Sequence, residues 1–322
     1  DKSSFKAKVV AKYMTGDMEK TLRGEFGYSN KKFALLAGIS KRSFGDIIGG
    51  DTTGKQSPSG YNDWAFDVKE KLLLKKNVQL TLASQFLQQQ HVPVYHKVRL
   101  ENFSLNEMDP QQRLLSYARL NIHSKSLLIK ETAITFSFQQ GIEGRNSLKN
   151  GTTVLRKEKD KIRTIGVTAD VLSVIGKRWS ANSGIEIYSD QVNSSREDIN
   201  TQTNIAASKR GLYPDDSKYG NYSLYSLHHL HFGKWMVDAG LRFNTFKINI
   251  ADSSLGSVKI TPSALVSNAA LMYSINKLQT VYVSYSSGYR APNIDDMGTL
   301  GIVDFRYEVP AADLKPEKSQ HT

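Results

Sequence analysis

The chain has 322 residues, no cysteine, and 43 basic against 31 acidic side chains, for a formal charge of +12. Without thiols it forms no disulfide and no thiolate metal site, and no apolar leader follows Asp1. No apolar run approaches the ~18 residues a membrane-spanning helix needs, which excludes a helical membrane protein; a membrane β-barrel, whose strands alternate between lipid and lumen, is compatible with the mean hydropathy of −0.42.

Residues 1–322 contain no Pro/Gly/Ser-rich linker and read as one architectural unit. From the start, apolar and polar residues alternate, predicting strands near 4–14, 20–29, 32–44, 62–75 and 77–90. In the fifth, Val78, Leu80, Leu82 and Phe86 alternate with Gln79, Thr81 and Gln85. A sixth and seventh follow near 112–124 and 126–141, the latter setting Ile134, Phe136 and Phe138 against Thr135, Ser137 and Gln139. Six more lie near 162–176, 179–193, 221–233, 234–250, 264–276 and 279–289. Ile165, Val167, Ala169 and Val171 carry the beat in the first of these, and Trp235, Val237, Ala239, Leu241 and Phe243 in the fourth. Period two means half-buried strands. Many exceed the ~5–6 residues of a common globular strand and suit a tilted bilayer crossing of ~9–11.

The connections alternate as well. Six are tight and all contain lysine: "SNKK" at 29, "KKN" at 75, "SKS" at 124, "GKRW" at 176, "FGKW" at 232 and "INKLQ" at 275. The intervening ones run long, over 45–61, 91–111, 142–161, 194–220, 251–263 and from 290 onward, with only "TGDME" brief. Short periplasmic turns and long extracellular loops are the asymmetry of an outer-membrane barrel, with odd-numbered strands running outward. Aromatic residues near strand ends (Trp64, Trp179, Tyr188, Trp235, Tyr273, Tyr285) suit interfacial girdles. A soluble antiparallel sandwich or propeller is the plainer alternative, although no blade-length repeat is present.

Near the end, "SYSSGYRAPNIDDMG" and "VPAADLKPEKS" resemble the paired signature of TonB-dependent outer-membrane receptors. Tyr289, Arg290, Ala291 and Pro292 match the first box, and Asp313, Leu314, Lys315, Pro316 and Glu317 match the second, whose usual Asn-Pro lead is replaced by "VPAAD". The resemblance implies an all-β antiparallel transmembrane barrel in the bacterial cell outer membrane. Plugged transporters of this kind have 22 strands; residues 1–322 would then supply about 13 to 14 of them as a partial barrel domain, with a plug domain before residue 1 and further strands after residue 322. It also implies energy-coupled uptake, in which the missing plug engages the TonB energy-transducing complex, and it implies no enzymatic activity. A passive porin-like barrel and a soluble β-rich binding protein stand as alternatives.

The signature residues have simple physical roles. Pro292 ends the ladder, and Pro310 and Pro316 restrict the return. Arg290 has Asp295, Asp296 and Asp313 within sequence reach, and bracing the loop is a plainer task for it than touching ligand. Candidate ligand contacts are His91, Tyr95 and His96 in "HVPVYH", Tyr213, and Tyr289, Arg290 and Asn293 beside the first box. Haem receptors of the family carry a histidine between the boxes; residues 293–312 hold none, which counts against haem.

The remaining motifs argue for less. His229 and His231 of "HHLH" share a strand face, but no third ligand stands at a metal-site spacing, so neither metal nor cofactor is expected. Asp170, Glu186, Asp238 and Arg242 fit a polar lumen. The one dense basic run, "LRKEKDKIR", is diluted by Glu158 and Asp160 and has no nucleic-acid signature beside it, so no nucleic-acid partner is expected. Basic outer loops suit lipopolysaccharide or an anionic chelate, and the strands themselves suit outer-membrane lipid. There is no Gly-Xaa-Ser-Xaa-Gly elbow, phosphate loop or His-Glu-Xaa-Xaa-His pair, and no catalytic residue is assigned. A plugged receptor serves cargo that is scarce and too large for porins; a ferric siderophore or similar iron complex is the leading expectation, with haem, cobalamin or an oligosaccharide behind it.

The loop alternation predicts sidedness. On intact cells a membrane-impermeant thiol reagent is expected to label Asn200→Cys and to spare Lys177→Cys. The opposite pattern would invert the assignment.

Overall fold

The computed structural model describes residues 3–50, 52–253, 255–303 and 306–322. All thirteen expected strands are present and a fourteenth follows. They are β1 (Ser4–Met14), β2 (Glu19–Ser29), β3 (Phe33–Phe44), β4 (Tyr61–Lys75), β5 (Val78–Gln90), β6 (Phe103–His123) and β7 (Glu131–Lys149). Then come β8 (Val154–Gly176), β9 (Trp179–Asn200), β10 (Ser217–Phe232), β11 (Trp235–Asp252), β12 (Ser263–Ser274), β13 (Thr280–Arg290) and β14 (Glu317–His321). Each pairs antiparallel with its sequence neighbours in one continuous meander.

Register shows why the sequence alternates. Cross-strand partners share a face, so the pairings trace an unbroken row from Phe33 through Leu72, Leu80, Leu120 and Ile134 to Ala169, Ile185, Leu224, Phe243 and Leu265. Ten strands thus contribute an apolar residue to one line on one face. Along that face Phe136 is 52% exposed, Leu224 60% and Leu265 66%. So broad an exposed apolar band fits hydrocarbon, not water.

The other face is polar and internally paired. Arg23 Nη2 lies 2.8 Å from Asp67 Oδ1, and Arg42 Nε lies 2.7 Å from Asp63 Oδ1. Arg242 donates to Glu186 and to Ser223, and Tyr225 donates to Asp170. Opposite Tyr225 stands Gly184, where an added Cβ would come within 2.6 Å of the Tyr225 hydroxyl. The expectation that Asp170, Glu186 and Arg242 line a polar interior is met. His229 Nδ1, weighed with His231 as a metal clamp, lies within hydrogen-bond distance of Asp238 Oδ1 at 2.6 Å.

The structure corrects several boundaries. Residues 142–161 are not an irregular loop: β7 and β8 stay paired through Ser147 and Arg156, leaving only 150–153 as a tip. Charge pairing across the hairpin supports this, with Arg145 opposite Glu158. The 194–220 loop is shortened likewise, because β9 runs to Asn200 and Ala206–Arg210 pairs back onto it. Conversely, β7 begins at Glu131 and not near 126. Leu127, Leu128 and Ile129 break the apolar/polar alternation, and they form a wide turn bonded to β8, with Val174 N donating to Leu127 O at 2.7 Å. The long side is therefore long because the strands continue past the bilayer. The 23 residues of β8 reach roughly 75 Å at ~3.3 Å per residue, well beyond a ~30 Å hydrocarbon core.

Among the described residues no pairing joins β1 to β14, so the sheet carries two free edges. A polypeptide of residues 1–322 alone is expected to aggregate or be degraded, since unpaired edges are unfavourable in lipid; a heat-resistant, membrane-inserted monomer would refute this. Within the intact protein, Phe243→Arg on the lipid-facing row should cost about 2–4 kcal/mol, read as a lower denaturant midpoint in bilayers. An unchanged midpoint would mean that this row does not face hydrocarbon.

Candidate ligand-side site at the loop end

β13 leaves the sheet at Arg290, and Ala291-Pro292 prevents the ladder from continuing. The next residue, Asn293, is the N-cap of a short helix, α2 (Ile294–Gly298). Its side chain accepts from Asp296 N at 2.8 Å, while Asp296 Oδ2 accepts from Asn293 N at 3.1 Å, a reciprocal capping box. The same Asp296 carboxylate receives Arg290 Nη2 at 2.8 and 2.9 Å, and Arg290 Nη1 reaches Glu317 Oε1 at 3.1 Å. Arg290 therefore ties the exit of β13 to the entry of β14. The sequence offered Asp295, Asp296 and Asp313 as its partners; Asp295 instead accepts from the Thr299 hydroxyl at 2.8 Å, and Glu317 stands in for Asp313.

Beneath α2 lies the one packed apolar cluster among the described residues: Met297 with Ile248, Ile250 and Val258. Gly298 abuts Pro214, where an added Cβ would come within 2.4 Å of the proline ring, so only glycine lets the 211–216 segment lie against the helix. Arg210 completes the clasp. Its Nε donates to Asp252 Oδ2 at 2.9 Å, its Nη1 to the Gly211 and Leu212 carbonyls at 2.9 Å, and its Nη2 to the Gly298 carbonyl at 2.7 Å. The Leu300 amide also donates to Leu212 O at 3.1 Å. Nothing in the sequence marked Arg210; besides the neighbouring Gly211 and Leu212 carbonyls, its partners Asp252 and Gly298 lie 42 and 88 residues away.

Tyr213 extends the clasp inward. Its amide donates to Ser194 Oγ at 3.2 Å; that hydroxyl donates to Asp160 Oδ1 at 2.5 Å, and Asp160 Oδ2 pairs with Arg145 Nη2 at 2.5 Å. The Tyr213 side chain is half-buried, and its phenol is pushed up to about 12 by burial first, then by Asp295 and Asp160. Tyr289 from the first box stacks on Phe246 at 6.0 Å, and Phe246 meets Tyr219 at 5.8 Å. The Tyr289 hydroxyl, Asp190 Oδ1 and Asn221 Oδ1 are buried without a hydrogen-bond partner among the described residues. Between the two boxes opens a recess of 450 Å³ bounded by Arg290, Pro292, Asp295, Leu314, Lys315 and Glu317. Pro316 leads directly from it into β14.

The histidines lie elsewhere. His91 Nδ1 is 3.2 Å from Glu107 Oε2 and 3.5 Å from Asp109 Oδ2. These three offer donor atoms within 4.8 Å of one another, the one group of possible metal ligands among the described residues. A bulge at Asp109-Pro110 sets their direction. β6 carries an extra residue there, opposite Gly144, whose Cβ would come within 2.1 Å of Asp109 O. Beyond the bulge Glu107 pairs with Asn146, which shares its strand face with Ile134 and Phe136. His91 and Glu107 thus sit on the outer face, away from Asp160 and Tyr213. His96 has a separate carboxylate, Glu101, at 3.7 Å, and Tyr95 opens helix α1 (Tyr95–Leu100). The structure brings Tyr213, Tyr289, Arg290 and Asn293 into one region and leaves His91, Tyr95 and His96 outside it.

Comparison with known proteins agrees with this geometry. The family described as TonB dependent receptor-like, beta-barrel matches residues 14–322. No curated protein matches the sequence. Among solved structures, the copper transporter OprC superposes with a TM-score of 0.79 at 10% identity, over 99% of this chain and 49% of its own. The Serratia marcescens hemophore receptor HasR, in complex with its hemophore HasA and heme, gives 0.74 at 14%, over 99% and 49%. The siderophore receptor PiuA from Acinetobacter baumannii gives 0.67 at 12%, over 99% and 54%. The chain therefore spans about half the length of these receptors. With the family match running from residue 14 to residue 322, over every strand from β2 to β14, the chain belongs to the TonB-dependent receptors and contributes to their β-barrel.

Proposed function

We propose that the protein is an outer-membrane receptor for energy-coupled uptake of a ferric siderophore or a chemically similar anionic metal complex. Membership of the family supports uptake in general; the cargo is the further step. The observation that carries it is the clasp at the loop end. Arg210, Gly298 and the Asn293/Asp296 box hold the signature loop against Tyr213 and the Tyr219–Phe246–Tyr289 ladder, with buried hydroxyl and carboxylate oxygens beneath. Rigid aromatic faces with a few directed polar groups suit a catecholate-type or other aromatic chelate. The positive balance favours an anion. Structures of the same fold include a copper transporter, a hemophore receptor in complex with heme and a siderophore receptor, which supports a metal-bearing cargo. Tyr213, Tyr289, Arg290 and Asn293 are assigned to the ligand side, and Pro292, Asp295, Asp296, Asp313, Leu314, Lys315, Pro316 and Glu317 to shaping the loop. The TonB complex, acting through a plug, and lipopolysaccharide around the outer loops are the proposed partners.

Deletion of the intact gene should abolish growth on one ferric chelate while leaving other iron sources usable. Unchanged growth on every iron source, with loss on one glycan, would overturn the metal cargo and leave the receptor class standing. Replacing the N-cap, Asn293→Ala, should destabilise the loop by about 1 kcal/mol, seen as faster proteolysis within 291–316 without loss of barrel heat resistance. Tyr213→Phe should weaken binding by the same factor at pH 6 and pH 9, because the phenol stays neutral below about 12; a pH-dependent loss would mean that another group is responsible.

A further inference from the structure

The tight turns differ from the rest of the molecule in charge. Over residues 30–32, 75–77, 124–130, 177–178, 233–234 and 275–279 there are ten lysines and arginines and no aspartate or glutamate. All ten are exposed. At the opposite end of the sheet many cations are matched by carboxylates of the chain itself: Arg42 by Asp63, Lys97 by Glu101, Arg145 by Asp160, Arg196 by Asp198, Arg210 by Asp252 and Arg290 by Asp296, although Lys157, Lys159 and Lys161 on β8 have no ion-pair partner among the described residues. In the turns, Lys75, Lys76, Lys125, Lys130, Lys177, Arg178 and Lys277 have no ion-pair partner among the described residues.

Exposed apolar side chains accompany these cations in five of the six turns. Leu74 (54% exposed) precedes Lys75, and Leu128 (64%) stands between Lys125 and Lys130. Trp179 (40%) follows Arg178, Trp235 (45%) follows Lys234, and Leu278 (95%) follows Lys277. An exposed apolar residue beside a turn cation, repeated at five of the six tight turns, is the pattern of an interface that is greasy on one side and anionic on the other. A cation that meets only bulk water has no need of such neighbours.

We propose that the lysine turns form a collar that binds the anionic headgroups of phospholipids in the membrane leaflet at the turn end, with the adjoining Leu, Ile and Trp side chains seated in the acyl boundary. The counter-charge that many loop-end cations find within the protein, the turns find in lipid phosphate. Placing that leaflet on the periplasmic side rests on the sidedness read from the loops; the lipid preference itself does not. Attraction of this kind is electrostatic and is screened within a Debye length of ~8 Å at physiological salt, so only headgroups in contact with the turns count.

The test uses the complete receptor, purified from membranes and reconstituted in nanodiscs of phosphatidylethanolamine with one quarter phosphatidylglycerol. Lipids retained on the protein are then counted by native mass spectrometry. The unmodified protein should retain phosphatidylglycerol several-fold above its bulk share, and high salt should remove the excess. A turn variant carrying Lys75→Gln, Lys76→Gln, Lys177→Gln, Arg178→Gln and Lys277→Gln should fall to the bulk ratio. The corresponding lysine-to-arginine set (Lys75→Arg, Lys76→Arg, Lys177→Arg, Lys277→Arg) should keep the enrichment, and a loop-end control, Lys157→Gln with Lys159→Gln and Lys161→Gln, should leave it unchanged. Heat-modifiable migration of each variant confirms that the barrel has folded. Undiminished enrichment in the turn variant, equal loss in the loop-end control, or no preference for phosphatidylglycerol at all would overturn the proposal. Both leaflets of a nanodisc have the same composition, so these outcomes do not depend on sidedness; labelling of Lys177→Cys on intact cells would sink the periplasmic placement while leaving the lipid collar standing.

Discussion

In hydrocarbon a backbone amide has no water to turn to, so each strand of a membrane-crossing sheet must give its hydrogen bonds to two neighbours. That requirement organises this chain from Ser4 to His321. It makes the topology a meander, because a strand paired with its immediate successors loses the least entropy in finding partners. It also makes register absolute. A slip of one residue in β11 would move Trp235, Val237, Ala239, Leu241 and Phe243 from lipid to lumen and turn Arg242 outward. The row from Phe33 to Leu265 exists because no strand can afford that slip.

Once the ladder is fixed, the ends of the strands are free to differ, and they do. Where β6 to β11 run beyond the bilayer they lose the need for an apolar face and acquire paired charges, such as Arg145 with Asp160 and Glu158. Those extensions act as scaffolding. Arg210 reaches Gly298 and Asp252 only because β9 and β11 carry their segments far enough out to meet α2. The signature loop is consequently held by two devices of different range, the local Asn293/Asp296 box and the long-range Arg210 fork. Either one alone would set the helix or its position, but not both.

The two ends also divide the electrostatics. The loop end pairs many of its cations with carboxylates of the chain, while the turn end presents cations beside exposed leucines and tryptophans. A formal charge of +12 summed over the chain conceals this division. It is a surface with a mixed face toward the solvent and a basic rim at the opposite end.

What the residues determined by themselves was local and periodic. Alternation is a property of neighbours in sequence, so thirteen strands, the lysine turns and the polar inner face of Asp170, Glu186 and Arg242 could be read from the string, as could the two boxes around Arg290. What only the tertiary structure decided depends on which distant segments meet. The charge-paired extension of β7 and β8 reads as loop in sequence because Arg145, Glu158 and Asp160 lack an apolar beat; it becomes strand when the register sets them opposite one another. His91 and His96 looked like a pair in "HVPVYH", yet a bulge at Asp109 turns His91 to the outer face and the helix gives His96 its own carboxylate. Arg210 carried no signal at all, since its four acceptors are assembled from three segments that are contiguous only after folding. Period and composition act over a few residues, whereas a clasp is made by contacts whose partners the sequence keeps far apart.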